Sequence, residues 1–305
     1  MIDPDADIRI SAFLELRAAI RVHGGALPWS IIREGFSARS QRFLFASAAE
    51  GIFRPAGMSG LLSVKTVVPK PKGRFWYHDQ TSPELTATGD TLSYAFTGLD
   101  PGNTRNQWLR QAMEDLLPVI YFFGVAPGLY EPLFPAFVTE WQPEKLRCGL
   151  SFSAAALTET SIDPTPLERR YALRSVRQRL HQAVFRERVL AAYGHRCALS
   201  GLPEPRLIDA AHIVPDDEEL GQPDVRNGIC MSKIHHAAFD AGLIGIDSDF
   251  NIHVSERLLA IHDGPLLEES LKGLAGQKVR MPTDALAVPD RDRLSFRFKL
   301  FRSAV

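Results

Sequence analysis

The sequence predicts an α+β fold in two parts, a mixed helix and strand region over residues 1–160 and a second domain over 165–305. The first observation is length, because 305 residues are about twice the size of an average compact domain. The second is composition, since 45% apolar and 23% charged residues are typical of a protein with a buried core. The third is that segments with helical apolar spacing occur beside short apolar runs bounded by Gly and Pro, which favours mixed secondary structure.

Charge and cysteine content limit the class of protein. The 35 Lys and Arg residues nearly balance the 36 Asp and Glu residues, which excludes a uniformly polybasic or acidic protein and leaves only a local patch for contact with nucleic acid. No run approaches the ~18 apolar residues of a membrane-spanning helix, and the acidic start MIDPDADIRI is unlike a signal peptide. Three cysteines cannot form a disulfide framework. We therefore expect a soluble, cytoplasmic protein without a membrane partner.

The first elements are helical. Residues 5–23 carry apolar side chains at mostly helical spacing and end at Gly24, a residue that commonly stops a helix. A short helical pattern follows over Trp29–Ile32, and Leu61–Val68 reads as an extended segment. These patterns predict a helical, winged-helix-like part over residues 1–70.

The next elements are predicted to be strands. Residues 75–152 contain short aromatic and apolar runs separated by Gly and Pro, which predict a small sheet or barrel interrupted by one helix near 106–117. The sequence Asp-Pro-Thr-Pro at 163–166 predicts a linker. A long helical pattern over 167–192 opens the second part.

The segment from Cys197 to Asp240 carries the most specific pattern. It predicts a first strand over Leu207–Val214, a turn and second strand within Val225–Met231, and a helix over Ser232–Ala241. Two short strands followed by a helix make a compact frame for side chains that must act together.

Metal-assisted hydrolysis of a phosphodiester needs a base for water and a cation for the leaving oxygen. His212, at the end of the first strand, is the natural base. His236 and Asp240 are four residues apart, so on a helix they share one face and can bind one ion. His235 has Phe239 at that spacing, so we prefer His236 as the ligand and expect His235 to be exposed or to contact DNA.

Histidine, asparagine and histidine in this order resemble the HNH (ββα-metal) nuclease motif. The flanks Ala-His-Ile-Val-Pro and His-x-x-Phe-Asp resemble the restriction-type subgroup, and the resemblance covers roughly residues 167–255. It implies that His212 is the general base, that Asn227 orders the loop, and that His236 and Asp240 bind a divalent metal. We expect Mg²⁺, with Mn²⁺ and Ni²⁺ as alternatives.

Two positions depart from this family. Many members carry a metal ligand directly before the base histidine, where this chain has Ala211. Asp209 points to the same side of an extended strand as residue 211 and is our candidate for that ligand. Cys197 and Cys230 each lack the second cysteine of a CxxC pair, so no structural zinc is expected.

The helix before the motif is strongly basic. Between residues 168 and 196 there are eight arginines and two glutamates, which is typical of a surface that meets a phosphate backbone. We take Arg170, Arg174, Arg177 and Arg186 as DNA-binding candidates. The alternative is an ordinary solvated face of an amphipathic helix.

Two aromatic segments of the first part resemble regions upstream of the HNH domain in modification-dependent restriction enzymes. They span residues 74–78 and 121–130. The resemblance implies a module that reads methylated or hydroxymethylated cytosine, or a phosphorothioate backbone, and aromatic rings can stack on a base. The alternative is that these aromatic residues form the core of the sheet.

The sequence thus predicts a metal-dependent HNH endonuclease of a restriction system, with an N-terminal DNA-recognition region. Its substrate would be double-stranded DNA, modified at cytosine or phosphate, cut to 5′-phosphate and 3′-hydroxyl ends. A homodimer is expected because one such site cuts one strand. Two alternatives stay open: an activator-gated or toxin-like nuclease effector, and a degenerate HNH protein that binds DNA without cleaving it.

Overall fold

The structure is a computed structural model that describes residues 3–68, 91–152, 166–215, 218, 221–222 and 224–303, and for 166–177 it describes the backbone alone. Contacts divide the chain into two compact units, Met1–Ala183 and Val184–Val305. Both units contain helices and strands, which confirms the predicted α+β class. Within the described part of the chain, no helix is long and apolar enough to cross a membrane.

The helices that begin the first unit follow the apolar spacing of the sequence. Ile8, Ala12 and Leu16 lie four residues apart and are buried on one face of the first helix. Gly24 caps the end of that helix with a φ of 94°. Glycine adopts this conformation without strain because it has no Cβ. The helices of this unit are α1 (Ala6–His23), α2 (Trp29–Ile32), α3 (Thr104–Glu114) and the first part of α4 (Pro166–Ala192).

One sheet dominates the first unit. Among the described residues it has seven strands in the order β4-β5-β7-β8-β9-β6, with β1 paired to β8, while β2 and β3 form a separate hairpin. Only β5 and β7 run parallel within it. The strands are β1 (Leu27–Pro28), β2 (Phe36–Ala38), β3 (Gln41–Phe43), β4 (Ile52–Phe53), β5 (Ser63–Lys65), β6 (Leu92–Ala95), β7 (Val119–Ala126), β8 (Leu129–Gln142) and β9 (Arg147–Phe152).

The sheet does not follow the predicted division at residue 70. Strands β1, β4 and β5 come from residues 27–65, yet they pair with β7, β8 or each other. Three strands from the described part of residues 1–70 therefore lie in the same sheet as the β-rich part, and this part does not form a winged-helix-like unit of its own. Strands of two or three residues are too short to show an alternation of apolar and polar residues. They can be recognised only from their hydrogen-bonded partner strands. Of the linker predicted at 163–166, residues 163–165 lie outside the described residues, and Pro166 is the first residue of α4.

Helix α4 confirms the long helix predicted over 167–192. The two units divide within it, between Ala183 and Val184, and not at the predicted boundary near residue 165. From Phe185 onward its buried residues belong to the core of the second unit, together with Val189 and Leu190. The sequence pattern of the helix does not reveal this division.

The second unit is built on two short antiparallel strand pairs and a helix. Helix α5 packs against β10, β11 and β12, and their apolar residues share one core. The elements are β10 (Ile208–His212), β11 (Gly228–Ser232), α5 (Lys233–Asp240), β12 (Ile244–Ile246), β13 (Ile252–Val254), α6 (Glu256–Leu259), α7 (Pro265–Glu268) and α8 (Arg291–Ser303).

Candidate active site

The candidate base lies at the end of a five-residue strand. In the antiparallel pair β10–β11, His212 is opposite Gly228 and Ile208 is opposite Ser232. The order of strand, strand and helix confirms the local structure predicted for this segment, with β10 shorter at both ends than predicted.

Helix α4 supports the ring of the candidate base. The Phe185 and His212 rings stack with centroids 4.0 Å apart and an angle of 15° between planes. A Cβ at Gly228 would stand 2.3 Å from Cγ2 of Val189 and 2.8 Å from Cζ of Phe185. Only glycine therefore permits α4 to lie this close to the hairpin, and the close approach brings the phenyl ring onto the imidazole.

Asn227 holds the backbone just after the candidate base. Its Oδ1 accepts from the N–H of Val214 at 3.0 Å, and its Nδ2 donates to the carbonyls of Val214 at 2.9 Å and Gln222 at 3.2 Å. The side chain is 0% exposed. Because Val214 is two residues beyond His212, these bonds fix the chain on which the imidazole is mounted.

His236 and Asp240 lie together on α5. The Nε2 atom of His236 is 3.2 Å from Oδ2 of Asp240, and their side chains are 24% and 58% exposed. Ser232 caps the helix, since its hydroxyl accepts from the N–H of His235 at 3.2 Å. Beyond the C-cap residue Ala241, Gly242 has a φ of 66°, a conformation that commonly ends a helix.

This pair fits a divalent ion. Neighbouring ligands of an octahedral ion with bonds of about 2.1 Å stand roughly 3 Å apart, close to the 3.2 Å between the two atoms. Imidazole nitrogen suits Mn²⁺ and Ni²⁺ better than Mg²⁺, whereas carboxylate oxygen suits Mg²⁺ and Mn²⁺. Among the described residues, no three His, Cys, Asp or Glu side chains are grouped as a metal site, so His236 and Asp240 stand as a pair in this structure.

Asp209 is engaged elsewhere. Its Oδ1 accepts from Nε of Arg186 at 2.9 Å, and the same guanidinium donates through Nη2 to the carbonyls of Ile208 at 2.9 Å and Pro205 at 3.2 Å. Asp209 is therefore not grouped with His236 and Asp240. Arg186, predicted to bind DNA, fastens α4 to the start of β10 and stays 37% exposed.

The other arginines predicted to bind DNA are Arg170, Arg174 and Arg177. Their backbone lies in α4, and their side chains lie outside the described residues. The neighbouring Arg179 donates to Glu131 at 2.5 Å. That carboxylate is only 2% exposed, and burial raises its pKa although Arg179 opposes the shift.

His235 is not exposed, contrary to the prediction. Only 3% of it is accessible, and its Nδ1 lies 3.4 Å from the sulfur of Cys197 while Nε2 lies 2.9 Å from the carbonyl oxygen of Ser270. An adjacent histidine pair offers no sequence signal for which ring faces the core. The partner Cys197 lies 38 positions earlier in the chain, too far for a local pattern to pair the two residues.

Arg297 is a second residue that the sequence did not indicate. From α8 it donates to the carbonyl of Phe239 at 3.1 Å, and its Nη2 stands 3.6 Å from Oδ1 of Asp240. A cation at the end of α5 is favourable for the helix dipole. Arg297 lies 58 positions after Phe239 in the chain, so no local sequence pattern could indicate this contact.

The aromatic segment of the first unit belongs to the core. Tyr121, Phe122, Phe123 and Tyr130 are between 0% and 6% exposed on β7 and β8, as the alternative interpretation predicted. The second aromatic segment, 74–78, lies outside the described residues.

A comparison with protein families identifies one segment of the second unit. Residues 197–247 match the family model described as HNH endonuclease. This segment is an HNH endonuclease domain. It begins at Cys197, contains β10, β11 and α5, and ends just after β12. The match confirms the predicted family and the prediction that the chain is a nuclease.

Solved structures also match the chain. A solved structure described as "Modification dependent TagI restriction endonuclease" is 18% identical, with 85% of this chain and 86% of that chain covered at a TM-score of 0.33. No curated protein matches the chain.

Proposed function

We propose that the chain is a metal-dependent restriction endonuclease that cleaves modified double-stranded DNA. The observation that carries the proposal is the pair of His236 and Asp240, whose ligand atoms lie 3.2 Å apart on α5. This helix packs against β11 and against β10, the strand that ends in His212. A nuclease of this kind requires a base on a strand and a cation-binding pair on a helix.

The side chains of the HNH domain divide the chemistry. His212 takes the proton of the attacking water on a ring nitrogen, and the Phe185 ring restricts rotation of its imidazole. Asn227 holds the backbone of Val214, two residues after His212. The imidazole therefore keeps its orientation when substrate enters. A correctly positioned base contributes about 10²- to 10⁴-fold to a rate.

His236 and Asp240 hold the cofactor. We propose Mg²⁺, Mn²⁺ or Ni²⁺, with Asp209 as a third ligand once Arg186 releases its carboxylate. A divalent ion in this position stabilises charge on the leaving 3′ oxygen. The products would carry 5′-phosphate and 3′-hydroxyl ends.

The arginines of α4 supply phosphate contacts. Arg170, Arg174 and Arg177 recur every three to four residues, so they share one side of a helix. Arginine suits bidentate phosphate binding. Arg186 is the fourth candidate through the exposed third of its side chain.

We assign recognition of the modification to the first unit. Support comes from segments 74–78 and 121–130 of the sequence, which resemble modification-dependent enzymes. The described rings of 121–130 are buried, so a base would be read by residues other than these. Cleavage of both strands would require a homodimer, and three free, buried cysteines suit a cytoplasmic protein.

Digestion of four matched plasmids tests the function. They are unmodified, 5-methylcytosine, 5-hydroxymethylcytosine and phosphorothioate DNA, each with Mg²⁺, Mn²⁺, Ni²⁺ or a chelator. We expect metal-dependent cleavage of at least one modified plasmid and little cleavage of the unmodified one. His212→Ala should slow cleavage by about 10²- to 10⁴-fold and leave DNA affinity unchanged, because phosphate contacts and not the base hold the duplex.

Each other outcome points to a different function. Equal cleavage of all plasmids would remove the modified-DNA assignment and keep the nuclease. Cleavage that begins only after a cell extract is added would indicate an activator-gated effector. A gel shift without cleavage under every metal would indicate a DNA-binding protein, and loss of DNA binding in His212→Ala would contradict the role given to that residue.

A further inference from the structure

Three polar groups contact the sulfur of Cys197 at the start of α5. It accepts from the backbone N–H of Ser232 at 3.1 Å and of Ser200 at 3.4 Å, and lies 3.4 Å from Nδ1 of His235. Cys197 is 0% exposed and His235 is 3% exposed. A thiol that serves only as a small apolar side chain does not need three polar neighbours.

These contacts converge on the junction of strand and helix. Ser232 is the last residue of β11 and the N-cap of α5, so the sulfur binds the backbone where the chain turns. The ring of His235, in the first turn, is fixed at its other end by the carbonyl of Ser270 at 2.9 Å. A carbonyl only accepts. Nε2 therefore carries the hydrogen of this bond, and Nδ1 is the nitrogen that faces the sulfur.

The electrostatics of the sulfur agree with this geometry. Burial alone would raise the pKa of Cys197, but hydrogen bonds from His235 and Ser200 lower it to about 6. An anionic acceptor forms shorter and stronger hydrogen bonds than a neutral one, and the N-terminus of a helix stabilises a thiolate.

Cys230 provides the contrast within the same core. It is also 0% exposed and belongs to the same apolar cluster. Among the described residues, no side-chain or backbone group is hydrogen-bonded to its sulfur, and burial raises its pKa to about 12. The two cysteines share one core, but only the sulfur of Cys197 contacts the N-terminal end of α5, through Ser232 and His235.

We propose that Cys197 is a positioning residue of the active site. Its sulfur fixes the first turn of α5, and because His236 directly follows His235, that turn sets where the metal-binding imidazole stands. The effect on catalysis rests on the proposed function, whereas the effect on α5 does not.

Cys197→Ala and Cys230→Ala test the proposal as a matched pair, since each deletes one buried sulfur from the same core. Both should lower the melting temperature. Only Cys197→Ala should weaken Mn²⁺ affinity and lower kcat, each by about 10- to 100-fold, the usual effect of losing a residue that orients a ligand. KM for DNA should stay within about twofold, because the phosphate contacts are untouched.

Cys197→Ser guards against a variant that fails to fold. Its hydroxyl accepts from the same N–H groups, so it should recover part of the lost Mn²⁺ affinity and kcat. Equal Mn²⁺ affinity and kcat in Cys197→Ala and Cys230→Ala would overturn the proposal, and so would a serine variant no better than alanine.

Hydrogen exchange separates this proposal from the proposed function. The amides of residues 232–240 should exchange faster in Cys197→Ala than in Cys230→Ala, whether or not the protein binds metal. If the wild type neither binds Mn²⁺ nor cleaves DNA but this difference is found, the nuclease assignment fails and the anchoring role stands. Equal exchange in the two variants would sink the anchoring role, even in an active nuclease.

Discussion

The two units contain the same hydrogen-bonded device with different consequences. In the first unit, Asn106 accepts from the N–H of Thr97 at 2.9 Å and donates to its carbonyl at 3.0 Å. In the second, Asn227 makes the same two bonds with Val214 at 3.0 and 2.9 Å. Each asparagine is 0% exposed and donates to one further carbonyl, of Asp100 or Gln222.

The difference lies in what each asparagine holds. Asn106 joins α3 to the loop that follows β6, which spans residues 96–103. This loop contains no histidine. Asn227 holds the residue two positions after His212, whose ring is already stacked on Phe185. Both units thus use a buried asparagine to hold a loop, and only in the second unit does the loop follow a residue that we propose as the base.

The largest expected effect is on kcat, and it distinguishes Asn227 from Asn106. Asn227→Ala should lower kcat by about 100-fold, because a shift of roughly 1 Å in a reacting group has that cost. Asn106→Ala should leave kcat unchanged, since no reacting group depends on it. Single-turnover cleavage of a modified plasmid measures both, and an equal loss of kcat in the two variants would break the comparison.

A smaller effect should be common to both. Each alanine variant removes the partner of one backbone N–H and of two backbone carbonyls, which costs about 1–3 kcal/mol of unfolding free energy. All four tryptophans of the chain lie at or before residue 141, so tryptophan fluorescence during urea unfolding reports the first unit. It should detect the loss in Asn106→Ala directly, while hydrogen exchange measures the loss in Asn227→Ala. A variant as stable as wild type would show that its bonds contribute little.

The smallest effect is spectroscopic and contrasts the cysteines of the two units. Burial raises the pKa of Cys148 to about 12, whereas hydrogen bonds oppose burial and lower that of Cys197 to about 6. We expect the ultraviolet absorbance of one thiolate to appear with a midpoint near pH 6 and to be missing from Cys197→Ser. Because this pKa is lowered on folding, its contribution to stability is complete above the ordinary thiol pKa of 9.0 and is lost as pH falls through about 6. A first thiolate that appears only above pH 9 would contradict it.

Local patterns sufficed for the elements whose cause is local. The helix of 5–23 follows from four-residue apolar spacing and a glycine stop, and the helix of 167–192 from the same period. His212, Asn227, His236 and Asp240 could be selected because their residue types and spacing suit one reaction. The sheet of the first unit could not be assembled in this way, since β4 and β5 have two and three residues and depend on partners far along the chain.

The sequence by itself determined the α+β class, the strand–strand–helix order of the HNH domain and the four residues proposed for its chemistry, because each depends on neighbours within a few turns. Tertiary structure alone decided that His235 faces Cys197, that Arg186 binds Asp209, and that Phe185 lies on His212. Those contacts join residues 23 to 38 positions apart. They arise from the packing of helices on strands, which no local period encodes.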